Sequence, residues 1–181
     1  MSHQKKSVVF TYGRFNPPHL GHKKMIQGIV DRARKEKKNP IIIVSHTTGT
    51  NKNPLNVQNK LTILKSWFPK VTFMHSSKDT PLAKITDTFA NNSVMIVGEN
   101  RKNSFGYLKF NKGSINRNAT APSATKARAA AVRGNVKTFK KLTGYNSPNI
   151  MSKIKSASTP VVKKKPRSTR VSKKNSPNSS I

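Results

Sequence analysis

The chain has 181 residues, with 36 Lys and Arg against 5 Asp and Glu, a formal net charge of +31. It has no cysteine, which excludes disulfides, zinc–thiolate sites and thiol catalysis, and its carboxylates (Asp31, Glu36, Asp79, Asp87, Glu99) are too few for a carboxylate metal cage. Such a charge favours polyanionic partners and says nothing of the fold.

The N-terminal Met1-Ser2-His3-Gln4-Lys5-Lys6 leads into an apolar stretch with no cleavage region, so Ser7–Tyr12 reads as a strand and not as a signal peptide. No apolar run approaches the ~20 residues that span a bilayer. The expectation is a soluble, intracellular, cytoplasmic protein. After Gly13, apolar residues at Met25, Ile26, Ile29, Val30 and Ala33 predict a helix from Leu20 to about Lys37. Asn39-Pro40 breaks it, and Ile41–Ser45 reads as a buried strand of parallel-sheet type. A polar loop (Thr47–Asn53) precedes a helix over Val57–Phe68, stopped by Pro69. A strand at Val71–His75, a helix at Leu82–Phe89 and a strand at Val94–Val97 follow. Arg101–Asn118 reads as an excursion with one short strand near Tyr107–Phe110. Helices then open at Pro122-Ser123, closing at Arg133-Gly134, and at Val136, ending at Gly144.

Strands alternating with helices predict an α/β fold with a doubly wound parallel sheet. In such sheets ligands bind beyond the carboxyl ends of the strands, where Gly13–His22, Ser45–Pro54, His75–Lys78 and Gly98–Lys102 fall. Residues 1–149 read as one folded domain. Residues 151–181 carry nine basic residues and no acidic one, among Ser, Pro and Asn, and read as a disordered basic tail from about residue 150. The tail accounts for only part of the charge. It suits non-specific nucleic-acid binding, and Pro160–Arg167 has the composition of a nuclear-import signal, so nuclear or virion association is the alternative location.

The motif richest in chemistry is Gly13-Arg14-Phe15-Asn16-Pro17-Pro18-His19-Leu20-Gly21-His22. Gly13 permits a sharp turn after the strand. His19 and His22 lie one turn apart at a helix start, whose unpaired N–H groups and positive dipole end attract phosphate. Gly21, without a side chain, lets a base or sugar pack on its backbone. Ser123-Ala124-Thr125-Lys126-Ala127-Arg128 offers a second helix start with hydroxyls and an arginine for further phosphates.

GRFNPPHLGH resembles the first signature of the HxGH nucleotidylyltransferases, and Ser123–Arg128 resembles their second. That family includes nicotinamide mononucleotide (NMN), phosphopantetheine and FMN adenylyltransferases and small cytidylyltransferases. Arg14-Phe15 and Asn16–His19 look most like the NMN adenylyltransferase branch. The Asn53-Pro54-Leu55 and Ser123–Arg128 stretches are similar to small viral or phage cytidylyltransferase-like proteins. The resemblance implies a Rossmann-like HxGH fold with His19, His22 and Arg128 catalytic. It places Gly13, Phe15, Gly21, Gly98, Asn100, Arg101, Ser123 and Thr125 around the nucleotide. Arg14, Lys52 and Lys60 fall on the acceptor side, the two lysines against the plain alternative of solvated helix lysines. It also implies an NTP substrate with ATP favoured over CTP, a phosphorylated small-molecule acceptor, and Mg²⁺ held mainly by the NTP phosphates, with no protein metal ligand. Ile150-Met151-Ser152-Lys153 echoes the KMSKS loop of class I aminoacyl-tRNA synthetases, but the chain is too short for an anticodon-binding region. The competing reading is a nucleic-acid-binding protein on a catalytically demoted nucleotidyltransferase fold. Neither the acceptor nor the oligomeric state is legible.

Overall fold

A computed structural model describes residues 3–115 and 121–159. Strands β1 (Val8–Gly13), β2 (Asn39–Val44), β3 (Thr72–His75), β4 (Val94–Gly98) and β5 (Asn111–Ile115) form one parallel sheet in the order β3-β2-β1-β4-β5. β1 lies at the centre, with Phe10 opposite Ile41 on one side and Met95 on the other. Because alternate residues of a strand face opposite sides, β1 feeds two cores at once. Val8 and Phe10 pack with Ile41, Ile43 and Met95 beneath α3 (Leu82–Thr86). Val9 packs with Ile42, Val44 and Ile96 beneath α1 (Leu20–Glu36) and α2 (Val57–Trp67). This is why β2 and β4 read as unbroken apolar runs instead of alternating ones.

The excursion after β4 differs from the expectation. Glu99–Phe105 is a 3₁₀ helix, and the edge strand is Asn111–Ile115 instead of Tyr107–Phe110. The apolar residues there, Phe105 and Leu108, are wedged against the sheet face with Phe10 and Val97, so they are unavailable to a strand. The edge strand needs only backbone pairing with β4, which the polar Asn111-Lys112-Gly113-Ser114 supplies. A Cβ on Gly113 would collide with the Arg32 guanidinium, so glycine lets that side chain pass the edge.

The C-terminal part is also corrected. α4 (Ala124–Val132) and α5 (Val136–Thr143) appear as expected, but residues from about 150, read as disordered tail, belong to α6 (Pro148–Ser158). Ser147 caps α6, accepting from the Ile150 N–H, and Pro148 occupies its first position, where its missing N–H costs nothing. Ile150, Met151 and Ile154 fall one turn apart and bury against Ala127, Ala130, Ala131 and Phe139, making a third core that also takes in Leu55. A Ser/Lys-rich composition concealed three apolar residues at helical spacing. The expected tail from residue 160 lies outside the described residues. Among the described residues no helix is long and apolar enough to cross a membrane.

Replacing Ile154 by Ala removes a fully buried side chain from this small core and is expected to cost about 2–4 kcal/mol in chemical denaturation. A chain ended at residue 147 is expected to lose at least as much, whereas a disordered segment would contribute nothing.

Candidate active site

The sheet reverses its winding between β1 and β4, and the carboxyl ends of these two strands open into a pocket. Such a switch point is the ordinary ligand crevice of a doubly wound sheet. Thr11, Tyr12 and Gly13 line it from β1, Val97 and Gly98 from β4, and Ser123, Ala124, Thr125 and Arg128 from the start of α4.

The two histidines close the start of α1 as a reciprocal capping box. His19 is the N-cap, and its Nδ1 accepts from the Gly21 N–H at 3.1 Å, while His22 Nδ1 accepts from the His19 N–H at 3.2 Å. A nitrogen that accepts from an amide carries no proton, so in both neutral rings the proton sits on Nε2. The rings stack, with centroids 3.7 Å apart and planes inclined by 27°. A capping box ordinarily uses Ser or Thr with Glu. Histidine at the third helical position does the same work without placing a negative charge at the helix start.

Gly13 and Phe15 hold this pair in place. Phe15 has φ +48°, a left-handed conformation that costs an L-residue about 1–2 kcal/mol. Its buried ring folds back over Gly13, where a Cβ would lie 2.9 Å away, and packs on His22 with centroids 4.7 Å apart. Phe15 therefore backs the imidazole as well as lining the pocket. Asn16 is buried and locks the loop to the stretch before α2. It donates to the Leu55 carbonyl at 3.0 Å and accepts from the Leu55 N–H at 2.9 Å.

Arg128 reaches across from α4 to donate to the Asn16 carbonyl at 2.8 Å and to Thr125 Oγ1 at 3.3 Å. Tyr145 clamps the same loop from the far side, donating to the Pro18 carbonyl at 3.0 Å; burial pushes its phenol well above the usual range. Burial, and then the Arg14 cation nearby, lower the Arg128 pKa. Two guanidiniums that disfavour one another, with Arg101 and Lys52 also lining the pocket and no carboxylate among the lining residues, make a site for a multiply charged anion.

Most of the residues singled out in the sequence meet here: Gly13, Arg14, Phe15, His19, His22, Lys52, Gly98, Arg101, Ser123, Thr125 and Arg128 all line the pocket. Three do not. Gly21 turns towards protein, since a Cβ there would lie 2.8 Å from the His19 ring and 3.2 Å from the Pro122 carbonyl; it lets α1 and the α4 start approach, and is no platform for a base. Asn100 is exposed on the 3₁₀ helix outside the lining. Lys60 is fully buried, its Nζ donating to the Ser45 carbonyl at 2.6 Å and weakly to that of Thr47 at 3.5 Å. In place of an acceptor ligand, Lys60 is a strut beneath the loop after β2, the loop that carries Lys52.

Tyr12, Phe105 and Met25 also line the pocket, and none carried a polar signal in the sequence. Phe105 arrives through the 3₁₀ helix and meets Tyr12 edge-on, with ring centroids 6.2 Å apart. That meeting follows from the path of the chain after β4.

Convergent helix starts and cations at the switch point define an α/β domain built to bind a phosphorylated ligand. The chain belongs to the cytidylyltransferase-like family, within the HxGH nucleotidyltransferase superfamily: the family model matches residues 10–143, from the middle of β1 to the end of α5. A search of curated proteins finds no match. Among solved structures the chain is similar to a bifunctional NMN adenylyltransferase/ADP-ribose pyrophosphatase from Francisella tularensis, with TM-score 0.61 and 16% identity over 83% of this chain and 50% of that one. The same enzyme complexed with AMP and a manganese ion gives TM-score 0.60 and 15% identity over 83% and 52%. A macrolide-efflux protein from Streptococcus pneumoniae gives TM-score 0.55 and 18% identity over 78% and 56%. At these identities the likeness is one of fold, and the chain spans about half the length of each of these structures.

Two outcomes follow from this geometry. Gly21→Ala should displace His19 and impair nucleotide binding, measured by calorimetry. Gly28→Ala on the same helix meets nothing within 4 Å and should stabilise by about 0.5–1 kcal/mol. Burial lowers the Lys60 pKa to about 8. The unfolded chain, with an ordinary lysine value near 10.5, then binds more protons above pH 8, and stability from this group rises with pH across that window. The stability difference between wild type and Lys60→Met should therefore shift in favour of wild type between pH 7 and pH 10, read by urea denaturation; a pH-independent difference would contradict it.

Proposed function

We propose that this chain is a nucleotidyltransferase that moves an NMP, with AMP from ATP favoured, onto a phosphorylated small-molecule acceptor and releases pyrophosphate. The observation that carries this is the convergence of two helix starts, two Nε2-protonated histidines and the Arg14–Arg128 pair on one pocket without carboxylates. Family membership supports the reaction class. Arg14-Phe15-Asn16 in the motif supports adenylyl transfer.

In this reading the α-phosphate lies against His19 and His22, whose Nε2–H groups donate to oxygens that gain charge in the transition state. The β- and γ-phosphates lie at the start of α4, held by backbone N–H groups, Thr125 and Arg128. The acceptor's phosphate, already ionised near pH 7, is placed by Arg14 and Lys52. It attacks the α-phosphorus in line as pyrophosphate leaves, so the protein supplies positioning and charge and needs no general base. Among the described residues no group of three or more His, Asp or Glu could hold a metal ion, so the residues form no protein cage for Mg²⁺. In this reading Mg²⁺ or another divalent ion would arrive on the nucleotide's phosphates and supply charge there.

Pyrophosphate release, screened with the four NTPs against NMN, phosphopantetheine, FMN and polyol phosphates, tests the proposal directly. His22→Ala should lower turnover by about 10²–10³, the usual loss for one transition-state donor. His22→Asn can restore the acceptor for the His19 N–H without restoring that donor, and should stay impaired while folding normally. Arg14→Ala should raise KM for the acceptor more than for the NTP. Wild-type turnover in the His22 variants would refute the assignment.

A further inference from the structure

The pocket accounts for Arg14, Arg101, Arg128 and Lys52, but leaves most of the positive charge unexplained. That charge is unevenly distributed. All five carboxylates lie at or before Glu99, so residues 100–181 carry 20 Lys and Arg and no Asp or Glu. The helical lobe α4–α6 lies wholly inside this stretch. Its apolar residues Ala127, Phe139, Ile150 and Ile154 face inward, while Arg133, Lys137, Lys140, Lys141, Lys153 and Lys155 are all exposed.

The ion pairs seen among the described residues join Asp31 and Glu36 to Arg32, Arg34 and Lys38, in the α1 region. Surface helices ordinarily intersperse both signs, gaining i,i+4 pairs and favourable acids in the first turn. None of α4, α5 or α6 has an acid in its first turn. Lys137 instead lies in the first turn of α5, where the positive end of the dipole opposes it. This arrangement is electrostatically unfavourable for the isolated domain, and a bound polyanion reverses its sign.

We propose that the outer face of α5 and α6 is a second binding surface, for the phosphate backbone of duplex nucleic acid, distinct from the nucleotide pocket. Three observations select this partner class. The apolar faces of α5 and α6 are spent on the lobe's own core, and the exposed Val132 and Val136 are too little apolar surface to insert into a lipid surface. Phe139 is buried and Tyr145 is tied to Pro18, so the lobe offers no exposed ring for stacking unpaired bases. The cations are interspersed with exposed Asn135, Thr138, Ser152 and Ser156, side chains that hydrogen-bond phosphate oxygens. Binding of this kind positions without reading sequence and falls with salt.

The test uses the full chain and a 20-base-pair DNA duplex of arbitrary sequence, with affinity measured by fluorescence anisotropy against salt. The triple variant K137Q/K140Q/K141Q should flatten the slope of log K against log salt by up to about 2.7, at roughly 0.9 per phosphate contact. At roughly 0.15 M salt that amounts to a loss of up to about a hundredfold. Its melting temperature should equal or exceed that of wild type, since the substitutions relieve like-charge repulsion, and its pyrophosphate release should match wild type, since none of the three lysines lines the pocket. A companion variant with Lys163, Lys164, Lys165 and Arg167 replaced by Gln separates the lobe from the C-terminal segment. An unchanged slope in the triple variant, with binding lost in the companion, would overturn the proposal. So would tighter binding to phosphatidylserine vesicles or to single-stranded DNA than to the duplex.

Discussion

The arrangement of the site rests on how the start of α1 is closed. Helix starts leave amides without intrahelical partners, and here two of the neighbouring N–H groups are taken by the Nδ1 atoms of His19 and His22. One pair of bonds thus does two things: it ends the helix and it settles which imidazole nitrogen bears the proton. The stacked rings, the Phe15 ring behind His22 and the glycine at position 13 all follow from holding that pair in place. A carboxylate at the third helical position would cap equally well but would repel the phosphate the helix start attracts.

Around this centre the loop from Gly13 to His19 is fastened from three directions. Asn16 ties it to Leu55 before α2, Arg128 ties it to α4, and Tyr145 ties it to the chain after α5. The helical lobe is therefore part of the site's framework, since α6 buttresses α4 and α4 supplies Ser123, Thr125 and Arg128. Lys60 plays the corresponding part beneath the loop after β2, where a buried amine spans two carbonyls. Strain at Phe15 and the mutual repulsion of Arg14 and Arg128 are concentrated where an anionic ligand would relieve the charge.

The charge of the chain divides along the same architecture. Residues up to Glu99 carry every carboxylate and the ion pairs seen among the described residues, whereas those from Asn100 onward carry cations alone. The cations in the pocket suit a small polyanion held by directed hydrogen bonds. Those on α5 and α6 are exposed outside that pocket and suit a long one held by its field.

Much of this is legible in the sequence. Apolar runs mark β1, β2 and β4, helical spacing marks α1 and α2, and the ten residues from Gly13 to His22 mark a phosphate site, because these signals are local and repeat with the period of the backbone itself. Only the tertiary structure decided the rest. Ile150, Met151 and Ile154 make a helix stable only because Phe139 and Ala127 are there to receive them, so composition alone read them as tail. Phe105 enters the pocket by the path of a 3₁₀ helix, and Lys60 is a strut because its amine meets carbonyls from another loop. The sequence by itself determined which residues could bind phosphate; the packing of distant segments determined which of them face the pocket, since burial and direction belong to contacts between residues and not to residue types.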